Sequence, residues 1–200
     1  MIDLIQASVV GVIFAFVLAV GRLLAPYVRR VFGRAPSRVD RFLIPVENSI
    51  YRLGGVNPSH AMDWKEYFLS LVLLNVLQMS LAFLVFVFQG KLPLNPQGFP
   101  GLSWDLAFMQ VISFGTNTNL QHYNGESALS YFSQMSAVQF LQFTSAASGI
   151  CAAVAFVRCF MGGSKDLGNF YVDFVRSLTR ILFPICVVAA LVFVLLGVPQ

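Results

Sequence analysis

The residues best suited to handle an ion lie in one short polar stretch. Residues 113–121 read Ser-Phe-Gly-Thr-Asn-Thr-Asn-Leu-Gln and lie between two hydrophobic runs. The apolar segment that precedes them, Leu102–Ile112, is too short to cross a bilayer. Lipid tolerates irregular polar backbone at membrane depth only where protein buries it or where it lines a water-filled path. A short apolar helix followed by small and amide residues is typical of a cation selectivity loop. The stretch therefore predicts an ion-handling membrane protein.

The composition indicates an integral membrane protein. The chain has 200 residues, of which 57% are hydrophobic and 11% charged, with a mean hydropathy of +0.73. Soluble domains carry about 25% charged residues. The net charge of +4 does not indicate nucleic-acid binding, because the basic residues cluster beside hydrophobic segments. Cys151, Cys159 and Cys186 form no CxxC motif and no Cys/His cluster, so we expect small core residues rather than a disulfide framework or a metal site.

Four uncharged runs predict four membrane-spanning helices. A spanning helix needs about 20 apolar residues, and the third run is long enough that we expect it to tilt or to project beyond the hydrocarbon. Arginines follow the first run rather than precede it, which argues against a cleaved signal peptide. The runs are Leu4–Gly21, Tyr67–Gly90, Ser127–Val157 and Ile181 to the end of the chain.

These runs divide the chain into five predicted parts. They are a first transmembrane helix (1–24), a cytoplasmic linker (25–66), a first helix–pore–helix repeat (67–157, with its re-entrant helix and loop at about 102–121), a cytoplasmic loop (158–180) and the start of a second repeat (181–200). Within the linker, Phe42–Leu53 suits a helix lying in the membrane interface. Asp63 with Glu66 three residues later predicts a capped start for the second span.

The basic residues predict the orientation. Residues 22–66 hold eight Lys or Arg and residues 158–180 hold four, whereas residues 90–126 hold only Lys91. Cytoplasmic loops carry the excess of Lys and Arg, so the N-terminus is predicted outside and the polar loop faces the exterior. The basic residues of the two rich segments are Arg22, Arg29, Arg30, Arg34, Arg38, Arg41, Arg52 and Lys65, then Arg158, Lys165, Arg176 and Arg180.

The segment before the polar loop is predicted to be re-entrant. Leu102–Phe114 would form a helix of roughly 20 Å, whereas the hydrocarbon core is about 30 Å thick. Ser103 is placed as its N-cap and Asp105 in its first turn, where negative charge is favoured. The negative pole of the helix then points toward the polar loop. We expect Gly115 to end the helix with backbone angles that other residues avoid, and the chain from Thr116 to run extended outward with its carbonyls toward a pore.

A surface turn is the alternative interpretation of the polar loop. A Ser/Thr/Asn loop between membrane helices is most often a surface turn. Here, however, a full span at Leu102–Phe114 would place four later basic residues outside, against the rule that basic residues face the cytoplasm.

Other polar residues in the spans, the pairs Asn75/Gln78 and Gln139/Gln142, favour hydrogen bonds between helices over ion contact. The chain has no Walker loop, no Asp-Lys-Thr-Gly phosphorylation site and no nucleophile elbow, so no catalytic residue is predicted and ATP would not be hydrolysed here.

Seven stretches that together cover nearly the whole chain resemble the N-terminal part of the potassium-binding A subunit of the bacterial Kdp potassium-importing P-type ATPase. They are residues 51–56, 62–67, 92–97, 100–107, 113–119, 125–135 and 145–149.

The resemblance implies an all-α integral membrane protein of the bacterial plasma (inner) membrane. Its fold would be a potassium-channel-like helix–pore loop–helix repeat, four non-identical copies in one subunit, preceded by one extra transmembrane helix. The resemblance further implies that potassium is bound from outside and passes through an intramembrane tunnel to the ATP-hydrolysing B subunit, with C and F subunits completing the complex. ATP would then bind only to the partner. The first filter strand, and thus the potassium-binding residues, would be Gly115, Thr116, Asn117, Thr118, Asn119 and Gln121.

The chain departs from that family at three points. Gly115 and Leu120 stand where the family pattern has a bulkier residue and an aromatic one. The chain is also much shorter than the family's subunit, which we interpret as a fragment or a truncated product. A passive potassium channel assembled from four copies is the alternative function, which the first extra helix and the seven stretches disfavour.

Overall fold

The structure is a computed structural model that describes residues 4–33, 36–37, 39–161 and 166–198. Within these ranges the regular structure is entirely helical. Four helices are long and apolar enough to cross a membrane, as the sequence predicted: Gln6–Phe32, Trp64–Lys91, Tyr131–Phe160 and Phe170–Leu195. Three of the residues counted for the orientation, Arg34, Arg38 and Lys165, lie outside the described ranges.

Seven helices and one short 3-10 helix, Gln89–Lys91, make up the described secondary structure. Two of them, α6 and α7, each contain a six-residue π-helical segment, at Gln134–Gln139 and Ser177–Leu182. The helices are α1 (Leu4–Phe32), α2 (Asp40–Leu53), α3 (Trp64–Phe88), α4 (Trp104–Gly115), α5 (Gly125–Ala128), α6 (Tyr131–Phe160) and α7 (Phe170–Leu195).

The chain forms two compact units, residues 1–46 and 47–200. In the first unit α1 continues to Phe32, eight residues past the predicted end at residue 24, and contains Pro26. The prediction ended the helix where charge begins, but arginine is a good helix former. Helix α2 covers the predicted interfacial segment: it begins at Asp40, two residues before Phe42, and ends at Leu53 as expected.

The core of the second unit positions α4. Phe86 of α3, Ala107 and Phe114 of α4 and Leu141 of α6 are all buried in one apolar cluster. Helix α4 packs against both α3 and α6. Because the interlocking of buried side chains leaves little freedom, the C-terminal end of this short helix is held in place, and with it the polar loop that follows.

A second apolar cluster joins the other end of α3 to α6 and α7. It contains Tyr67, Cys151 and Phe170, with the Tyr67 and Phe170 rings edge to face at 5.5 Å. Cys151 is the small core residue that the sequence predicted, but Cys159 and Cys186 are exposed, so that prediction is wrong for both. Both exposed cysteines lie on long apolar helices, whose outer surfaces would contact lipid.

The fourth long helix begins earlier than predicted. Residues 158–180 were expected to form a loop, yet α6 runs to Phe160 and α7 begins at Phe170. Two of the charges that suggested a loop, Arg158 and Arg180, are paired inside the fold. Arg158 donates two hydrogen bonds to Asp173, at 2.5 and 3.1 Å, and Arg180 Nε donates to Glu47 Oε1 at 2.7 Å. Each partner offsets part of the cost of removing these charges from water.

Short-range features of the connections agree with the sequence. The Asp63 carboxylate accepts a hydrogen bond from the Glu66 amide at 2.8 Å, which confirms the predicted cap of α3. Residues 92–103 form an irregular loop without a strand. A Cβ at Gly101 would collide with the carbonyl oxygen of Val87, so this loop approaches α3 more closely than any other residue type allows.

Candidate ion-binding loop

Helix α4 carries the loop at its C-terminal end. It spans 12 residues, Trp104–Gly115, close to the predicted bounds of 102–114. Ser103 occupies the N-cap position, although its side chain makes no capping hydrogen bond to the helix, and Asp105 lies in the first turn. Twelve residues rise about 18 Å, which is well short of the roughly 30 Å needed to cross the hydrocarbon.

The chain leaves α4 through a tight C-terminal turn. The Thr118 amide donates to the Ser113 carbonyl at 2.9 Å, and the Asn117 amide donates to the Phe114 carbonyl at 3.3 Å. Asn117 itself has a positive φ of 59°. This is the Schellman arrangement, in which one left-handed residue after the helix lets two amides satisfy the last carbonyls. Asparagine is among the few residues other than glycine that adopt this conformation readily.

Ser113 organises the loop and was not singled out from the sequence. Its carbonyl accepts hydrogen bonds from the amides of Thr118 and Asn119, at 2.9 and 3.1 Å, and its hydroxyl donates to the Leu120 carbonyl at 2.8 Å. Its side chain is buried among the helices. The only sequence signal was its position, one residue before the predicted helix end at Phe114, where a small polar side chain can reach the following turn.

The threonine and asparagine side chains bond mainly to one another and to the helix end. Thr116 Oγ1 donates to the Ile112 carbonyl at 2.8 Å and lies 2.9 Å from Thr118 Oγ1. Asn117 Oδ1 accepts a long hydrogen bond of 3.5 Å from Ser145 of α6. These contacts tie the loop to α4 and to α6 and leave all four predicted residues 116–119 exposed.

The hydrogen bonds of the loop backbone involve its amides but not its carbonyl oxygens. The amides of residues 116, 117, 118 and 119 all point back to carbonyls of α4, at 2.9 to 3.3 Å. Among the described residues, no donor reaches the carbonyl oxygens of the same four residues. The predicted extended strand from Thr116 is therefore wrong at its start, since residues 116 and 117 form a turn. That the carbonyls face a pore stays a prediction.

Gly115 plays a different part from the one predicted. It is the last residue of α4 and is not among the residues with positive φ, so it does not end the helix by unusual backbone angles. A Cβ at this position would lie 2.6 Å from Cγ and Sδ of Met79 on α3. Any larger residue here would require the Met79 side chain or α4 itself to move. The left-handed positions that follow the helix are Asn117 and Asn119, with φ of 59° and 56°.

Two buried glutamines that the sequence analysis missed hold the segments that flank α4 and the polar loop. Gln89 is fully buried, and its amide nitrogen donates to the carbonyls of Pro100 and Ala128, at 2.7 and 2.9 Å. Gln110 is equally buried and accepts a hydrogen bond from the Tyr123 hydroxyl at 3.0 Å. Burial raises the pKa of Tyr123, so this hydroxyl remains a donor. Gln121, the outermost predicted residue, is exposed.

Polar residues deeper in the spans form a contact between helices. Asn75 of α3 and Ser148 of α6 are hydrogen-bonded, with the Asn75 amide nitrogen 3.1 Å from the Ser148 hydroxyl, which confirms the predicted helix-to-helix role of Asn75. The buried Gln78 side-chain oxygen has no hydrogen-bond partner within the described part of the chain. Gln139 and Gln142 are exposed.

Within the part of the chain that the structure describes, no group of three or more His, Cys, Asp or Glu residues could hold a metal ion.

Comparison with known proteins places the chain in one family. A family model described as the potassium-transporting ATPase A subunit matches residues 11–200. A potassium-transporting ATPase potassium-binding subunit from Gloeobacter violaceus is 50% identical over 174 residues, which make up 87% of this chain and 30% of that protein. The subunit of the same name from Caldanaerobacter subterraneus subsp. tengcongensis is 45% identical over 93% of this chain and 33% of its own length.

A third subunit of that name, from Pseudomonas aeruginosa, is 45% identical over 188 residues, or 94% of this chain and 33% of that protein. The chain spans about a third of the length of the curated relatives it matches. The matched region includes the short helix α4, the loop of residues 113–121 and the three long helices of the second unit. On the strength of these matches, the chain belongs to the potassium-transporting ATPase A subunit family.

Proposed function

We propose that this chain supplies the first helix–pore–helix repeat of the potassium-binding subunit of an ATP-driven potassium importer. In this proposal α3 is the outer helix, α4 the re-entrant pore helix and α6 the inner helix, with α1 as the extra first helix. One observation carries it: the four loop amides 116–119 bond back to α4, while among the described residues no donor reaches the carbonyls of 116–119.

The chemistry of potassium suits such a loop. A weakly hydrated monovalent cation is selected by neutral backbone oxygens that replace its water shell. Residues 116–119 are exposed, their carbonyls accept no hydrogen bond from the described residues, and Asn117, Thr118 and Gln121 carry further side-chain oxygens. We therefore assign potassium binding to Gly115, Thr116, Asn117, Thr118, Asn119 and Gln121. One loop can face only one side of an ion, so the remaining ligands would come from further repeats of the parent subunit.

The orientation follows from the charges. Residues 22–66 and 158–180 carry twelve of the thirteen basic residues, so we place the connection between α1 and α3 and the connection between α6 and α7 on the cytoplasmic side. The N-terminus and the polar loop then lie outside the bacterial inner membrane, where the loop would receive potassium from the exterior. From there the ion would pass through an intramembrane tunnel to an ATP-hydrolysing B subunit, with C and F subunits in the same complex. The chain itself performs no catalysis in this scheme.

A charge placed at the mouth of the loop tests the proposal. In the complete transport complex, Gln121→Arg would put a fixed cation beside the ion entrance. At separations of several ångströms in a partly aqueous site, this repulsion amounts to about 1 kcal/mol or more, so the apparent potassium affinity should fall at least about fivefold. The measurement is potassium-stimulated ATP hydrolysis as a function of potassium concentration.

The matched control is Gln97→Arg. Gln97 is exposed in the 92–103 loop, so the same change of charge occurs outside the proposed site. Equal potassium dependence of the two variants would contradict the assignment of Gln121. Potassium flux through a tetramer of the purified chain in liposomes, without partner subunits, would instead support a passive channel.

A further inference from the structure

We propose that the end of α1 binds the phosphate of an anionic phospholipid through three arginines. Arg22, Arg29 and Arg30 line a groove of about 690 Å³ together with Ala25, Pro26 and Gly33; the first five lie in α1, and Gly33 directly follows it. We call this the arginine groove. The proposal rests on the membrane placement of α1 given above, but not on the potassium site.

The spacing puts the three arginines on one side of the helix. Positions seven and eight residues apart lie two turns along the same face. Between them stand Ala25 and Pro26, and after them comes Gly33. These three residues have short or absent side chains, so the space between the guanidinium groups stays open. The result is a concave site rather than a row of separate surface charges.

The depth of the groove suits a lipid headgroup. The uncharged run Leu4–Gly21 ends directly before Arg22, which therefore lies at the edge of the hydrocarbon. Arg29 lies about 10 Å further along the helix, whereas each headgroup layer is about 5–7 Å thick. Helical side chains lean toward the N-terminus of their helix, so Arg29 and Arg30 lean back toward the headgroup layer that Arg22 borders.

The charges of the groove are not compensated by the protein that the structure describes. The three arginines are exposed, and no carboxylate within the described ranges forms an ion pair with any of them. This distinguishes them from Arg158 and Arg180, which are paired with Asp173 and Glu47. Guanidinium groups bind phosphate oxygens through two parallel hydrogen bonds. A phosphodiester at the membrane surface is the anion available at this depth.

The test uses the purified transport complex in detergent, titrated with fluorescent phosphatidylglycerol and, separately, with phosphatidylcholine of the same acyl chains. The groove variant is Arg22→Gln/Arg29→Gln/Arg30→Gln. Its control is Arg41→Gln/Arg52→Gln/Lys65→Gln, which removes the same charge at exposed positions outside the groove. Near a membrane surface each basic residue contributes about fivefold to anionic-lipid binding. We expect the phosphatidylglycerol affinity of the groove variant to fall on the order of 100-fold.

The control variant should lose clearly less phosphatidylglycerol affinity than the groove variant, because its three basic residues are spread along the chain and do not converge on one phosphate. Where the triple variant does not assemble, Arg29→Gln alone should lose about fivefold. Equal losses in the groove variant and the control would overturn the proposal, as would equal binding of the two lipids by the unaltered complex. Inorganic phosphate is titrated in the same way, up to millimolar concentrations. If it binds the groove as tightly as phosphatidylglycerol does, free phosphate is the occupant, and the lipid proposal is overturned.

Discussion

The Ser113 hydroxyl donates a hydrogen bond of 2.8 Å to the Leu120 carbonyl, and this contact closes the proposed ion-binding loop on itself. The Ser113 carbonyl accepts from the amides of Thr118 and Asn119 as well. One buried residue at the end of α4 therefore holds both the middle and the far end of the loop. The geometry of residues 116–119 depends on Ser113 more than on any of the predicted ligands.

Removing the Ser113 hydroxyl should loosen the loop without unfolding the protein. A typical hydrogen bond contributes about 1 kcal/mol, so Ser113→Ala should weaken the apparent potassium affinity of the complete complex about fivefold. Potassium-stimulated ATP hydrolysis measures this. Ser80→Ala serves as the control, because the Ser80 hydroxyl bonds only the Val76 carbonyl of its own helix. An unchanged potassium dependence of Ser113→Ala would show that the Leu120 contact does not shape the site.

The left-handed backbone at Asn117 should decide which substitutions are tolerated there. Glycine adopts a φ of 59° without strain, whereas for a β-branched residue it costs about 1–2 kcal/mol. Asn117→Gly should therefore keep the thermal stability of the parent subunit, and Asn117→Val should lower it. The same pair separates the two kinds of ligand at this residue: a large loss of potassium affinity in Asn117→Gly would assign binding to the side-chain oxygen rather than to the backbone.

The contact between Gly115 and Met79 should appear as coupling between two substitutions. A Cβ at Gly115 would lie 2.6 Å from Met79 Cγ and Sδ, so Gly115→Ala should displace α4 from α3. Overpacking of this kind costs about 1–3 kcal/mol. In the double variant Gly115→Ala/Met79→Ala the space is restored, and its free energy of unfolding should exceed the value expected from adding the single effects. Simple additivity would mean that the two residues do not meet.

The buried pair of Arg158 and Asp173 should matter far more than an exposed one. The Asp173 side chain is only 4% exposed and also accepts a hydrogen bond from the Tyr67 hydroxyl at 3.1 Å. Breaking a buried pair by removing one partner costs about 3–5 kcal/mol. Because Arg158 is 24% exposed, we expect the lower part of that range for Asp173→Asn, measured by thermal unfolding of the parent subunit.

The control for that pair is His60→Gln, which breaks the contact of His60 with Glu66. Both side chains are about half exposed, at 53% and 52%, and exposed pairs contribute about 0–1 kcal/mol. A similar loss of stability in the two variants would contradict the structural role given to Asp173.

Much of the fold could be predicted because its signals are local. A run of some 20 apolar residues identifies a potential membrane span wherever it occurs, and the four runs correspond to four long helices. The same holds for the Asp63 cap of α3 and for the short helix before residues 113–121, whose bounds differ from the prediction by one or two residues. The family was equally accessible, because the stretches that resemble it are contiguous.

The errors concern contacts between residues that are far apart in the chain. Residues 158–180 looked like a loop because their charges were read alone, but Arg180 pairs with Glu47, which lies 133 positions earlier. Gly115 looked like a helix breaker because glycine often is one, yet its role depends on Met79 of another helix.

The sequence by itself therefore determined the membrane class, the positions of the long helices and of the polar loop, and the family. The tertiary structure decided which charges lie inside a helix, why Gly115 is glycine, and that the amides of residues 116–119 turn inward and their carbonyls do not. The physical reason is that hydropathy and helix length are properties of a single segment. The cost of a buried charge or of a close approach depends on the partner that another segment supplies.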